Sequence, residues 1–261
     1  RADRQMKPPL LCAAALLATL SPATWALTAE QVYAKASPSV WRVVTYDLDN
    51  LPLGQGSGVV VAPQAVVTNC HVLAKAKRVR VRRDKESHDA KLDLWDVKRD
   101  LCQLAVPGLR APAVSVADSG RIVVGQNVFA IGNPKGLELT VSAGLVSSLR
   151  KNTSGQLVLI QTSAAISGGS SGGGLFDDKG ELIGLTTLGS VSGDAQNLNF
   201  AIPSDWVREL PQRHAQAAAA DKAPAAPSGG ASPPPAASTA AWARLDDADR
   251  LPFASDRLRE R

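Results

Sequence analysis

Between residues 40 and 203 the chain is built from short apolar stretches rich in valine, leucine and isoleucine, each cut off by glycine, proline or asparagine. Examples are 40–45, 58–62, 66–68, 78–82, 101–106, 128–131, 157–162 and 182–187. An amphipathic helix needs an apolar repeat near 3.6 residues, and almost none of that period lies between them. Strands this short and evenly punctuated predict an all-β domain, an antiparallel sandwich or barrel. A connection around 112–120 divides them into two similar halves. Arg78-Val79-Arg80-Val81-Arg82 shows the period of two plainly: its valines face a core, and its arginines form a solvated, basic face with Lys75, Lys77 and Arg83.

Helices are expected only at the ends. Thr28-Ala29-Glu30-Gln31 fits a capping box opening a helix through about Lys35, and Pro38 prevents its continuation. Ser204 reads as the N-cap of a terminal helix reaching Leu210 and packing on the second half.

Beyond these, composition changes. From Met6-Lys7 a basic start leads into an apolar run at 10–20, a break at Ser21-Pro22 and small residues up to Ala26. This is a signal peptide spanning 1–26, with residues 1–5 an upstream extension of the reading frame. The run falls short of the ~20 residues a spanning helix needs, so no membrane span remains after cleavage. Leu11 before Cys12 is too bulky for lipoprotein processing. Export to a bacterial periplasm, or secretion, follows. At the other end, 213–241 is nearly all alanine, proline, serine and glycine, a linker that cannot bury enough apolar surface to fold. A charged tail, 242–261, closes the chain. The net charge of +5 does not demand a nucleic-acid partner.

The chemistry concentrates at Ile166-Ser167-Gly168-Gly169-Ser170-Ser171-Gly172-Gly173-Gly174-Leu175. Glycines this dense mean left-handed backbone or close approach of another group. A serine hydroxyl becomes a useful nucleophile when a base takes its proton and amide N–H groups hold the oxyanion that follows. A tight turn can aim the N–H groups of Gly169 and Ser171 into one hollow beside the Ser171 hydroxyl. For the base there are three histidines, His71, His88 and His214. His88 lies in a charged loop and His214 at the edge of the linker, so only His71, in Thr68-Asn69-Cys70-His71-Val72, leaves the end of an apolar strand. Asp100, immediately before a strand, is the candidate to orient it, with Asp93 and Asp96 as competitors in a charged loop.

Together these stretches resemble the trypsin-like serine proteases, and within them the bacterial HtrA/Deg group. The matching pieces are Gly56-Ser57-Gly58-Val59-Val60, Val67-Thr68-Asn69-Cys70-His71-Val72, Asp100-Leu101, Ala130-Ile131-Gly132-Asn133-Pro134, Gln161-Thr162-Ser163-Ala164-Ala165-Ile166, Ser171-Gly172-Gly173 and Asn199-Phe200-Ala201-Ile202-Pro203. They stand in the family's order, the nucleophile last. The resemblance implies a protease domain over 27–212, with one six-stranded antiparallel β-barrel at about 38–110 and a second at about 121–205. The site lies in the cleft between them. It implies His71 as base and then acid, Asp100 as its orienter, Ser171 as nucleophile, and Gly169 and Ser171 as the oxyanion hole. The substrate would be an unfolded or extended polypeptide, cleaved in periplasmic quality control without cofactor or metal. The PDZ domain that often follows in HtrA proteases has the alanine-proline segment in its place.

Ser170 and Gly174 depart from the family's usual asparagine or aspartate and proline. A looser loop is therefore expected, its oxyanion hole completed by substrate. Ser163 and Gln103 also depart from the usual residues. The specificity pocket would be lined by Ala165, Ile166 and Ser167 and by Thr186, Thr187 and Leu188, and would take a small or medium aliphatic side chain. If His71 and Asp100 share a hydrogen bond, Cys70 and Cys102 come within reach of a disulfide; two buried free thiols are the alternative. Two rival readings differ in class. Gly168-Gly169-Ser170-Ser171-Gly172 also satisfies the G-x-S-x-G elbow of α/β-hydrolases with Ser170 as nucleophile, but that fold needs parallel strands and a histidine after the serine. A trypsin-like module that binds peptides without cleaving them is the other.

Overall fold

The computed structural model describes residues 26–136, 138–187 and 198–222. Most of the signal segment, Leu188 and the charged tail lie outside the described residues. So does the linker beyond 222.

The chain opens with helix α1 (Ala29–Ala36), started as its sequence dictates: Gln31 N–H donates to Thr28 Oγ1 and Thr28 N–H donates to Gln31 Oε1. Six strands follow, β1 (Val40–Tyr46), β2 (Pro52–Ala62), β3 (Ala65–Thr68), β4 (Arg78–Arg83), β5 (Glu86–Asp96) and β6 (Leu101–Ala105). Then come β7 (Asn127–Gly132), β8 (Thr140–Lys151), β9 (Leu157–Thr162), β10 (Gly174–Phe176), β11 (Leu182–Thr187), β12 (Asn199–Pro203) and helix α2 (Asp205–Lys222). Among the described residues the twelve strands close into two antiparallel barrels. The first runs β1-β2-β3-β6-β5-β4 and the second β7-β8-β9-β12-β11-β10, the same order twice. Closure leaves no free strand edge.

The periodicity reads through. In β4 Val79 and Val81 are buried while Arg78, Arg80 and Arg82 are exposed. The stretch carrying His88, Asp93 and Asp96 was expected as a charged loop and is instead strand β5. Its first residues are polar and its alternation is confined to Ala90, Leu92 and Leu94, yet pairing on both sides with β4 and β6 holds it extended.

Each barrel has its own core. Trp41, Val43, Val66, Leu73 and Leu104 pack in the first; Val128, Val146, Ile160, Leu175 and Ile183 pack in the second. A third cluster, containing Val59, Val67, Leu101, Phe129, Phe176, Leu185 and Ile202, joins the barrels and takes in Val32 of α1 and Trp206 and Leu210 of α2.

The terminal helix departs from expectation in three ways. It runs to Lys222, so residues 213–222 belong to a helix rather than to an unfolded linker. Alanine is the strongest helix former, and turns already docked upstream remove the nucleation cost. Its start is not capped by Ser204, whose hydroxyl donates to the Ala117 carbonyl at 3.0 Å. Finally, its side chains reach back to the first barrel: the His214 ring stands edge-on to Trp95 at 4.1 Å, and Arg213 pairs with Asp96.

Candidate active site

Strand β3 delivers Thr68 to the barrel rim, and a single helical turn, Cys70–Leu73, carries His71 just beyond it. On the neighbouring β6 the chain enters through Asp100, a buried residue held at φ 55°, ψ 38°. That left-handed turn lets one residue hold His71 at two points and the two residues before it at one point each. The Asp100 carbonyl accepts from Cys70 N–H at 3.3 Å and from Asn69 Nδ2 at 3.0 Å. Its Oδ1 accepts from His71 N–H at 2.9 Å, and its Oδ2 lies 2.7 Å from His71 Nδ1. Thr187 Oγ1, from the second barrel, approaches Oδ2 at 3.5 Å. With Nδ1 donating to the carboxylate, Nε2 is left as the basic nitrogen.

Burial of the imidazole works to lower its pKa, but the hydrogen bond and charge of Asp100 outweigh it, and the net effect is a pKa above the ordinary 6.5. The competing carboxylates are engaged elsewhere. Asp93 accepts from Gln103 Nε2 at 2.9 Å, and Asp96 binds Arg213.

The glycine-serine loop comes from the second barrel and rests on the first. Ser171 is buried, and its Oγ has no hydrogen-bond partner; no hydrogen bond therefore joins it to His71. Its carbonyl accepts from Ser57 N–H at 2.8 Å. Gly172 packs so tightly on the strand that leads to His71 that a Cβ would stand 2.3 Å from Thr68 Oγ1 and 3.1 Å from Asn69 N. This contact, with φ +82°, explains the glycine there.

The loop expected to be loose is in fact tied down. Gly168 C=O accepts from Lys135 N–H at 2.6 Å, Ser167 C=O from Ser170 N–H at 2.9 Å, and Ser170 C=O from Gly173 N–H at 2.9 Å and Thr186 Oγ1 at 2.6 Å. Because C=O and N–H point opposite ways across a trans peptide, the bond at Gly168 turns the Gly169 N–H away from Lys135. Neither that N–H nor the Ser171 N–H donates to another group among the described residues. Ser57, which carried no assigned role in the sequence, is the clasp. Its Oγ donates to Gly169 C=O at 2.9 Å and accepts from Asn133 N–H at 2.8 Å. Nothing in the composition of Gly56-Ser57-Gly58 signals this, since the partners lie far along the chain.

Of the residues expected to line a specificity pocket, Ala165 and Ser167 are exposed and Ile166 is buried. Thr186 and Thr187 point elsewhere: Thr186 holds the Ser170 carbonyl and Thr187 faces Asp100, so the side chains of β11 support the loop and the carboxylate. Cys70 and Cys102 are fully buried, with their sulfurs at bonding distance and Cα atoms 5.0 Å apart. Antiparallel barrels are incompatible with an α/β-hydrolase, and Ser170 does not stand at the elbow of a parallel sheet.

Comparison with known proteins agrees with this arrangement. The trypsin-like peptidase domain family matches residues 56–185. The chloroplastic Protease Do-like 1 of Arabidopsis thaliana is 40% identical over 174 residues, covering 62% of this chain and 40% of that protein. The periplasmic pH-dependent serine endoprotease DegQ of Escherichia coli is 37% identical over 168 residues, covering 61% of this chain and 37% of its own length. The chain thus spans about two fifths of these relatives. Among solved structures, the HtrA-type protease AlgW with tripeptide is 34% identical with a TM-score of 0.64, covering 71% of this chain and 62% of that one. An AlgW variant with decapeptide is 32% identical at the same TM-score, covering 73% and 67%. The chain belongs to the trypsin-like peptidases, in their HtrA-type branch.

Proposed function

We propose that this chain is an exported serine endopeptidase. His71 Nε2 takes the proton of Ser171 as Oγ attacks the peptide carbonyl carbon. The N–H groups of Gly169 and Ser171 receive the oxyanion, and His71 then gives its proton to the leaving amine. Water hydrolyses the acyl-enzyme by the same steps, with His71 again the base. Asp100 stays ionised, holding the tautomer and stabilising the imidazolium. The observation that carries this reading is the double grip of Asp100 on His71, at its N–H and at Nδ1.

The substrate class is extended polypeptide, a reading supported by the peptides bound to AlgW. Residues 165–167 are the pocket wall, and a small or medium aliphatic residue fits before the scissile bond. Residues 1–26 direct export, and the periplasmic relatives favour the periplasm and a role in protein quality control. A Cys70–Cys102 disulfide, at home in that oxidising compartment, belongs to the same reading.

Incubating unfolded casein with the wild-type chain, Ser171→Ala and Ser170→Ala tests it. Cleavage by wild type and Ser170→Ala, absent in Ser171→Ala, is expected, as is labelling of Ser171 by a fluorophosphonate. A wild-type chain that neither cleaves nor labels at any pH overturns the proposal in favour of a peptide-binding module.

A further inference from the structure

The corner carrying Asp100 is stapled from outside by the C-terminal helix. Asp100 adopts a left-handed conformation uncommon for a residue with a side chain, and such a conformation persists only where its surroundings over-determine it. Inside the barrel its own hydrogen bonds to Asn69, Cys70 and His71 do part of this. The turn leading into it, residues 96–99, is held by α2. The Asp96 carboxylate, mostly buried, binds the Arg213 guanidinium and lies 3.9 Å from Arg99 Nε. Arg99 reaches across to Glu209, its guanidinium 4.6 Å above the Trp206 ring. Trp95, just before Asp96, donates its backbone N–H to His214 Nδ1 at 3.4 Å. Two positions of the turn are thus fastened to a helix that itself contributes no group to the proposed chemistry.

We propose that Asp96 and Arg213 are positioning residues: their half-buried ion pair holds the 96–99 turn so that Asp100 presents its carboxylate to His71. This deepens the peptidase reading and rests on it. Removing Arg213 leaves the mostly buried Asp96 carboxylate only the 3.9 Å approach of Arg99, and Asp96→Asn removes the charge that draws Arg213 in, so the turn loses its tie to α2 and Asp100 shifts with it. The groups facing Asp96 are Arg213 from α2 and Arg99 from the turn, with Glu209 facing Arg99 and His214 bonded to the Trp95 N–H beside it.

The test measures casein hydrolysis from acid to neutral pH for the full chain and for Arg213→Ala, Asp96→Asn and Arg213→Lys. It adds the proton NMR signal of His71 Nδ1, which needs no substrate. For the first two variants kcat is expected to fall about tenfold with KM nearly unchanged, less than the ~10²-fold an ångström-scale displacement can cost. The acid limb is expected to move to lower pH and the downfield Nδ1 proton signal to weaken. Arg213→Lys, which keeps the charge without the fork, is expected to fall between, and serves in place of Arg213→Ala should that variant not fold. Leu210→Ala, buried in the same helix, should lower Tm and leave the acid limb in place. Folded variants of this Asp96–Arg213 clasp with wild-type kcat, acid limb and Nδ1 signal would overturn the inference. A wild-type chain without turnover would count against the peptidase reading alone, since the Nδ1 signal still reports on the clasp.

Discussion

At the scale of the residue, Asp100 sets the protonation of His71. Its hydrogen bond and charge raise the imidazole pKa against burial, which alone would lower it. Activity that needs a neutral His71 is therefore lost as pH falls through the raised value. Asp100→Asn should cost about 10⁴-fold in kcat by favouring the wrong tautomer. It should also move the acid limb of kcat/KM to lower pH, because only burial then remains. Stability carries the opposite sign. A raised folded-state pKa contributes stability that is full below 6.5 and lost as pH rises through the folded value. In denaturant titrations this slope should reverse in the Asn variant, where burial alone lowers the folded-state pKa and stability rises with pH. An unmoved acid limb would mean that Asp100 does not control the base.

At the scale of the element, the sulfurs of Cys70 and Cys102, each one or two residues from a proposed catalytic group, lie at bonding distance across the strand junctions beside His71 and Asp100. A bridge between residues 32 apart is expected to contribute about 3–4 kcal/mol by restricting the unfolded chain. Replacing both by serine should lower the unfolding free energy from urea titration by that amount relative to unreduced wild type, and the midpoint by that amount divided by the m-value. Thiol titration of the unfolded, unreduced mature protein should find no free thiol; two would refute the bridge. The proximity was legible from the sequence only once His71 and Asp100 were placed together. The rigidity of residues 167–174 was not, because the groups that hold the loop, Ser57, Lys135 and Thr186, come from three other segments. Nor was β5, whose alternation is limited to Ala90, Leu92 and Leu94 and whose polar first half is held extended by its neighbours.

At the scale of the whole molecule, the two barrels share one interface core, and the terminal helices cross over it. The N-terminal α1 lies on the second barrel, with Lys35 Nζ donating to the Lys179 carbonyl at 2.6 Å, while the C-terminal α2 reaches the first. The barrels are therefore expected to unfold together. Phe176→Ala, at the centre of the shared cluster and fully buried, should cost about 3–5 kcal/mol. It should lower a single Tm seen alike by tryptophan fluorescence and far-UV circular dichroism; two separated transitions would contradict a shared core.

The chain's own letters determined most of its strands and the start of α1, because alternation, capping and turn formation are settled among near neighbours, and they singled out His71, Asp100 and Ser171 as candidates. Tertiary structure alone decided that Asp100 rather than Asp93 or Asp96 meets His71, 29 residues away. It likewise brought the Thr187 hydroxyl to that carboxylate and docked α2 on the opposite barrel. Those outcomes depend on which surfaces meet after the barrels close, and pairings between distant segments leave no period in the sequence that would reveal them.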